Sequence, residues 1–514
     1  MAVGRAVSVA LNGIDGTIVH VEADVGHGLP GMHIGGLGDA AVSEARERVR
    51  TAATNSGIAW PRTKIVVSMS PASLRKHGSI FDVSIVCAVL AASTRDEEAQ
   101  ERLNQTVVLG EVGLDGSVRG VDGVLPAVLV AKEAGYRTIV VPEANAVEAA
   151  MVEDMTVGCV GSLSQLWHWV RTGEGQLSVA KDIEEQRLDL PDMADVHGQD
   201  EARCALEVAA AGGHHLFLMG PPGTGKSMLA ERLPGILPEL TKEQALETMA
   251  VRSVLGQVAP DSLGVRHQPP FVAPHHTVTP AALIGGGVHP QPGALSRAHH
   301  GVLFLDEVSL MSPRALDTLR TPLELGEIVL MRARQQIRYP CRVQLVMAAN
   351  PCGCGAQDAE NCRCTAHARK RHLAPLSGPL RDRIDLNIAV HPRHAVITPE
   401  LGEPSTAIRE RVTIARERAR QRWQGIEGID DLRTIASNAD VPGPLLRRYA
   451  PATDDAMAYL EALLSSGDIN QRGIDRSLRV AWTLADLAGT SQPTIDEVAH
   501  AVDLHDSGKE LVPA

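Results

Sequence analysis

The sequence predicts an α/β protein with a helical C-terminal part. Three observations carry that prediction. Gly220-Pro221-Pro222-Gly223-Thr224-Gly225-Lys226-Ser227 matches the phosphate-loop pattern at every fixed position. The apolar run Gly301-Val302-Leu303-Phe304-Leu305 closes on Asp306-Glu307, as a buried strand ending in two carboxylates would. Residues 1–170 alternate strand and helix patterns, whereas the chain beyond 396 reads as helices.

Four segments follow from this reading: an α/β domain at 1–170, a linker at 171–195, a nucleotide-binding core at 196–395 and a helical lid at 396–514. The net charge of −13 means that any nucleic-acid contact must come from local basic surfaces, such as the pore of a ring. Aromatic residues make up 3%, too few for a base-stacking platform. No apolar run approaches the roughly 20 residues of a membrane span. Met1-Ala2-Val3-Gly4-Arg5 lacks the layout of a secretory signal, so a cytoplasmic protein is expected. Cys87, Cys159, Cys204 and Cys341 are scattered and read as small core residues, with no disulfide framework.

In the first domain, Asn12-Gly13 and Asp15-Gly16 mark turns. Val19, Val21, Ala23 and Val25 then alternate with polar residues, as in a half-buried strand. Asp39 is placed to cap a helix that buries Ala41, Val42, Ala45, Val49 and Ala52 and stops at Gly57. Strands are expected at 64–69, 106–109 and 137–141, and helices at 81–92 and 125–134. Residues Gly38 to Val49, Ser70 to Lys76, Leu109-Gly110-Glu111 and Gly123 to Pro126 resemble the ribosomal-S5-like domain shared by Lon proteases and the YifB/ComM group. A Lon-type protease needs a serine activated by a lysine amine. Ser79 lies near the serine position, but the best alignment puts Ile80 there, and no lysine occurs between Lys76 and Lys132. The resemblance implies the fold without the protease.

The linker, Arg171 to Asp195, is polar and acidic, punctuated by Gly173, Gly175 and Pro191. The phosphate loop follows the apolar strand Leu216-Phe217-Leu218-Met219 and precedes a helix from Ser227 to Leu233 that should stop near Pro234. Its glycines let backbone N–H groups face the β- and γ-phosphates of ATP. Lys226 adds a point charge, and the Ser227 hydroxyl is placed to hold Mg²⁺. Asp306 is expected to share the metal, and Glu307 to orient and deprotonate the attacking water.

Further boxes resemble those of AAA+ ATPases. Val196-His197-Gly198-Gln199 resembles the box beside the adenine, and Asn350, after the strand 343–348, resembles sensor one. Leu380-Arg381-Asp382-Arg383-Ile384-Asp385 resembles the arginine-finger box, which implies that Arg383 reaches the neighbouring subunit's nucleotide. Arg381 is the rival finger, and a surface arginine paired with Asp382 or Asp385 is the other reading. Arg479, with Arg472 as its alternative, resembles sensor two. Two insertions are similar to those of the Mg-chelatase and MCM branch, where hairpins line a ring's pore. One runs from Pro274-His275-His276-Thr277 to Ala294, and the other, Gly326 to Pro340, reads as a β-hairpin carrying Arg332 and Arg334. His275 and His276 are expected to be solvated or pore-facing, since no acid or cysteine sits beside them at ligand spacing.

Cys352-Gly353-Cys354 and Cys362-Arg363-Cys364 form two Cys-x-Cys pairs, as in a tetrahedral Zn²⁺ site or a redox-active thiol cluster. His367 and His372 are substitute ligands. Arg363, Arg369, Lys370 and Arg371 form a basic run suited to phosphate contact or to a solvated helix face. Lid helices are expected at 406–423, with Ile408, Val412, Ile414 and Ala415 among its charged residues, and at 454–464 and 475–487.

With Pro351-Cys352-Gly353-Cys354 and Ser377-Gly378-Pro379-Leu380, the chain resembles the YifB/ComM Mg-chelatase-like ATPases over essentially its full length. That resemblance implies a homohexameric ring and an association with DNA branch migration in recombination and transformation. A metal-chelatase motor subunit and a chaperone-like remodeller are the competing readings.

Overall fold

Two long antiparallel strands, β1 (Val3–Asn12) and β2 (Asp15–Gly26), open the chain and turn tightly at Gly13-Ile14. Gly13 adopts φ +78°, the left-handed conformation that such a turn requires. β1 was not expected from its pattern, because it is buried along most of its length and does not alternate. The computed structural model describes residues 3–507, apart from 36, 39, 77, 175–176, 178–186, 188, 259–263, 288–289, 333–334, 357–361, 377, 392–401 and 427–434. The expected cap Asp39, the linker's Gly175 and the hairpin's Arg334 therefore lie outside the described residues.

After β3 (Gly31–Gly35) come α1 (Ala40–Asn55), β4 (Lys64–Ser70), α2 (Asp82–Thr94) and β5 (Thr106–Val108). Then follow α3 (Val124–Glu133), β6 (Thr138–Pro142), β7 (Thr156–Val160) and α4 (Leu163–Thr172). The strands form one seven-stranded sheet in the order β7-β6-β5-β1-β2-β4-β3. α2 is buried from Asp82 to Ala92, as a helix apolar on all sides must be, and packs on β1 and β2. Lys76 is fully buried and donates to the carbonyls of Met69 and Pro71, while Ser79 donates to the Glu111 carboxylate. Lysine and serine thus engage separate partners.

The nucleotide-binding core begins with α5 (Asp200–Gly212), β8 (Leu216–Met219), α6 (Lys226–Ile236) and α7 (Lys242–Val254). β9 (Phe271–Val272), β10 (Val302–Leu305) and α8 (Arg320–Leu325) follow, then the hairpin β11 (Glu327–Arg332) and β12 (Gln335–Pro340). β13 (Gln344–Ala349), α9 (Ala366–Leu373) and β14 (Leu386–Ala389) complete it. Five strands pair in the order β9-β10-β13-β8-β14, every pair parallel. This order sets the carboxyl ends of β8, β10 and β13 side by side, where open α/β sheets bind ligands. α6 continues past Pro234 to Ile236, one turn beyond expectation, because the proline sits in the last turn and Leu237 N–H still closes on the Leu233 carbonyl.

The first domain contacts the nucleotide-binding core at two places. The β1–β2 turn backs the β11–β12 hairpin: Gly13 bridges to Arg338, and Asn12 Nδ2 donates to the Gln336 carbonyl at 2.9 Å. α7 packs on α3, and Ser253 Oγ donates to the buried Glu148 carboxylate at 2.6 Å.

The lid comprises α10 (Ser405–Gln424), α11 (Asp454–Ser466), α12 (Gln471–Ala488) and α13 (Ile495–Asp506), with shorter turns between. Ile408, Val412, Ala415, Ala419 and Trp423 bury one stripe of α10. Ile414 is 52% exposed, because two positions on from Val412 is the outer face. α13 was missed, although Thr494 and Glu497 form the capping box that announces it. Cys87, Cys159 and Cys341 are core residues, whereas Cys204 is half-buried. No helix of the described residues is long and apolar enough to cross a membrane.

Candidate active site

The phosphate loop leaves β8 and delivers Lys226 to the first turn of α6. Gly225 adopts φ +90°, and a Cβ on Gly220 would stand 2.2 Å from the Val390 carbonyl, so both positions need glycine. Lys226 is 8% exposed, and burial lowers its pKa. Its Nζ donates to the carbonyls of Gly220 at 2.7 Å and Pro221 at 2.8 Å, and to Asn350 Oδ1 at 3.1 Å. These partners match the three donors of an ammonium. Thr224 Oγ1 donates to the Pro221 carbonyl at 2.9 Å. Gln199, from the box ahead of the loop, donates to the carbonyls of Thr224 and His391.

Asp306 follows β10 directly. Its Oδ2 accepts from Ser227 Oγ at 2.7 Å, and its Oδ1 accepts from the Glu307 N–H at 2.8 Å. Glu307 itself takes φ +49°, an uncommon conformation for a residue with a side chain, which turns its carboxylate out of the strand's course. His276 Nδ1 lies 3.3 Å from Glu307 Oε2. His275 is exposed, as a solvated residue would be, whereas His276 is half-buried beside an acid, against the expectation that none lies near. The acid is absent from the neighbouring sequence because it arrives from the end of another strand. The His275 ring stacks beside His276 at 4.1 Å. Phosphate-loop lysine, Ser227, the Asp306-Glu307 pair and Asn350 are thus brought together.

The arginines are placed differently. Arg383 pairs with Glu324 of α8, not with Asp382 or Asp385. Nothing in the sequence pointed to Glu324, since it belongs to the helix that leads into the hairpin. Arg381 ends a short helical turn and is exposed. Arg472 Nη1 pairs with Asp382 Oδ2 at 2.8 Å. Arg479 Nε donates to the Val441 carbonyl at 2.8 Å, within the lid. Neither sensor-two candidate makes a hydrogen bond with the phosphate loop among the described residues. Asp385 is buried and faces His214 Nδ1 at 3.0 Å. Burial raises its pKa, but the His214 hydrogen bond together with the charges of His214, Arg479 and His215 outweighs it and leaves it at about 2.

Among the described residues, two clusters have ligand-like composition. Glu247 accepts from His299 at 3.1 Å and His300 at 2.8 Å. His299 Nδ1 also accepts the Arg342 N–H at 3.0 Å, so its proton sits on Nε2 and goes to Glu247. That tautomer makes the group a hydrogen-bonded staple with no lone pair for an ion at Nε2. The second cluster is Cys352, Cys354, Cys362 and Cys364, whose sulfurs all lie within 4.8 Å of one another. Cys352 Sγ is 3.1 Å from Cys354 and 3.4 Å from Cys362. The substitutes His367 and His372 are not part of this group. α9 follows it, capped by Thr365 and carrying Lys370, Arg371 and His372 in its last turn.

Three family models match successive parts of the chain. Residues 192–397 match the family model described as magnesium chelatase, subunit ChlI. Residues 21–145 match one described as subunit ChlI of Mg-chelatase, and 402–505 match the ChlI C-terminal model. Fold and site together define an AAA+ ATPase of the Mg-chelatase type. An uncharacterized protein of Mycobacterium tuberculosis is 50% identical over 513 residues, covering 99% of both chains. The competence protein ComM of Haemophilus influenzae is 36% identical, covering 98% of this chain and 97% of its own. The uncharacterized YifB of Escherichia coli is 36% identical, covering 95% and 94%. The chain belongs to the YifB/ComM family of Mg-chelatase-like proteins.

Proposed function

We propose that this protein is a homohexameric, ATP-hydrolysing motor that moves DNA strands. The observation that carries the ATPase half is the meeting of Lys226, Ser227, Asp306, Glu307 and Asn350 at one sheet edge. Lys226 and the backbone of Gly220 to Gly225 hold the phosphates. Ser227 Oγ and Asp306 Oδ2 are hard oxygen donors 2.7 Å apart, a pair that fits Mg²⁺. The ion, when bound, neutralises charge on the β- and γ-phosphate oxygens. Glu307 takes the proton of the attacking water, and Asn350 orients that water or the γ-phosphate. Arg383 of one subunit serves the nucleotide of the next, and Arg479 reports nucleotide state to the lid.

The DNA half rests on likeness to a competence protein over nearly the whole chain and on the basic hairpin. Arg332 ends β11, so the hairpin's tip carries positive charge on an otherwise acidic protein. The likeness to chelatase subunits favours a second reading, a motor that drives metal insertion into a tetrapyrrole. One assay separates them: ATPase rate with a three-stranded DNA junction, with a tetrapyrrole and with an unfolded protein. Stimulation by the junction together with strand displacement supports the DNA motor. Stimulation by tetrapyrrole alone replaces it with the chelatase reading.

A further inference from the structure

We propose that Cys352, Cys354, Cys362 and Cys364 bind one Zn²⁺, and that this metal knuckle braces the ATP site by holding the Asn350 loop against the phosphate loop. The second half rests on the ATP reading above. The first stands on sulfur geometry alone. Four sulfurs at about 2.3 Å from one tetrahedral ion would lie about 3.8 Å apart. The separations here are 3.1, 3.4 and 3.6 Å, and all four sulfurs fall within 4.8 Å of one another. A disulfide would need about 2.0 Å. Four thiols gathered this closely without bonding are an ordered ligand set, and each gives up its proton as the ion binds. A Cys₄ set takes a soft, tetrahedral ion and leaves no open position for catalysis.

The position of the cluster gives it a role. Cys352 lies two residues beyond Asn350, whose side chain accepts from Lys226. Cys352 is 4% exposed, so the first ligand is anchored in the core. Gly355, just past the second ligand, packs on Pro222: a Cβ there would stand 3.5 Å from the proline Cγ. Gly353 likewise backs on His372 of α9. The other two ligands, Cys362 and Cys364, lead into α9, which packs on the 308–310 turn just after Glu307. One ion would therefore tie together the Asn350 loop, the phosphate loop and the helix packed behind Glu307. Without it the loop is a glycine-rich return that must order itself at the cost of its own chain entropy.

The test uses the full chain, purified under reducing conditions without chelator. Metal analysis should find about one zinc per chain. Replacement of that zinc by Co²⁺ should give the intense visible absorption of a tetrahedral thiolate site. Cys354→Ser with Cys364→Ser should abolish both signals. Binding of a non-hydrolysable ATP analogue should weaken roughly tenfold after chelation and recover when Zn²⁺ is restored, a reversal that misfolding would not show. Wild-type protein with no zinc and no cobalt spectrum overturns the site. Zinc present, with analogue affinity unchanged on its removal, overturns the brace and leaves a metal site only. Wild-type protein that holds zinc but binds no ATP analogue overturns the nucleotide reading, and the brace with it.

Discussion

His276 lies 3.3 Å from Glu307, Nδ1 to Oε2, although they stand thirty-one positions apart in the chain. The histidine belongs to the inserted segment after β9, and the glutamate to the turn after β10. The ring stands within ion-pair distance of the carboxylate proposed as general base. His276→Ala should lower kcat by roughly ten- to a hundredfold, the usual cost of a misplaced catalytic group, with KM for ATP little changed. His276→Asn, which keeps an N–H donor, should recover most of the loss. An unchanged kcat in His276→Ala would show that Glu307 keeps its orientation without the ring.

The metal and base assignments separate by mutation. Glu307→Gln should bind ATP normally and hydrolyse it roughly 10²–10⁴-fold more slowly, the range for a lost general base. Lys226→Ala should lose tight binding, because its buried ammonium is the charge nearest the phosphates. Equilibrium binding of a fluorescent ATP analogue beside steady-state hydrolysis distinguishes the two. Wild-type turnover by Glu307→Gln would move the base elsewhere.

Arg383 pairs with Glu324 of the same chain. To reach a neighbour's nucleotide it must leave that partner. Arg383→Ala should cost roughly a thousandfold in hydrolysis, as for a lost arginine finger, without loss of ATP binding. Glu324→Gln should raise hydrolysis two- to fivefold, the equivalent of removing a pair worth about 0.5–1 kcal/mol. Mixing Arg383→Ala with Lys226→Ala subunits should restore part of the activity, since some interfaces then combine an intact loop with an intact finger. Full hydrolysis by a strictly monomeric protein in light scattering would refute the trans arrangement.

The His214–Asp385 pair ties the finger box to the lid, because His214 Nε2 also meets Thr483 Oγ1 of α12 at 2.8 Å. Asp385 sits at about 2 when folded, below an ordinary aspartate near 3.9. A depressed carboxyl stabilises the fold above its unfolded pKa and loses that contribution as pH falls through the folded one. A shift of this size corresponds to roughly 2–3 kcal/mol at neutral pH, lost between about pH 4 and pH 2. The difference in urea midpoint between wild type and Asp385→Asn should shrink across that window. A constant difference would mean that the carboxylate's charge is not what holds the junction.

What was legible in the sequence was local. The phosphate loop, the acidic pair and Asn350 each follow an apolar strand, and parallel pairing then forces their meeting. Strands with clean alternation, such as β2, were visible, while β1 was not, since burial on both faces erases the period. Contacts between separate elements carried no pattern. His276 met Glu307 and Arg383 met Glu324 because a strand end and a helix brought the acids from afar. The four cysteines were legible as two pairs, but their convergence on one point needed the fold.

The proposed action on DNA turns on the hairpin. β11 and β12 pair from Glu327↔Pro340 to Arg332↔Gln335, so Arg332 stands at the tip end of the ladder. The first domain backs this hairpin through Gly13 and Asn12, which gives a rigid base against which the tip can push. Net charge of −13 opposes DNA, so contact must be local and directed at phosphates. Binding should weaken steeply with salt, with a slope that reports a few phosphates, and should show little base preference. Displacing one strand while pairing another is nearly balanced in energy, so ATP hydrolysis need only bias the exchange. Arg332→Ala with Arg334→Ala should keep basal hydrolysis but lose DNA stimulation and strand movement. Asn12→Ala, which removes one strut behind the hairpin, should leave DNA affinity near wild type and slow movement. A labelled three-strand junction with ATP, beside a Glu307→Gln control, reads both effects. Wild-type protein that neither binds DNA at low salt nor moves the junction, yet supports metal insertion with a chelatase partner, would settle the matter for the second reading.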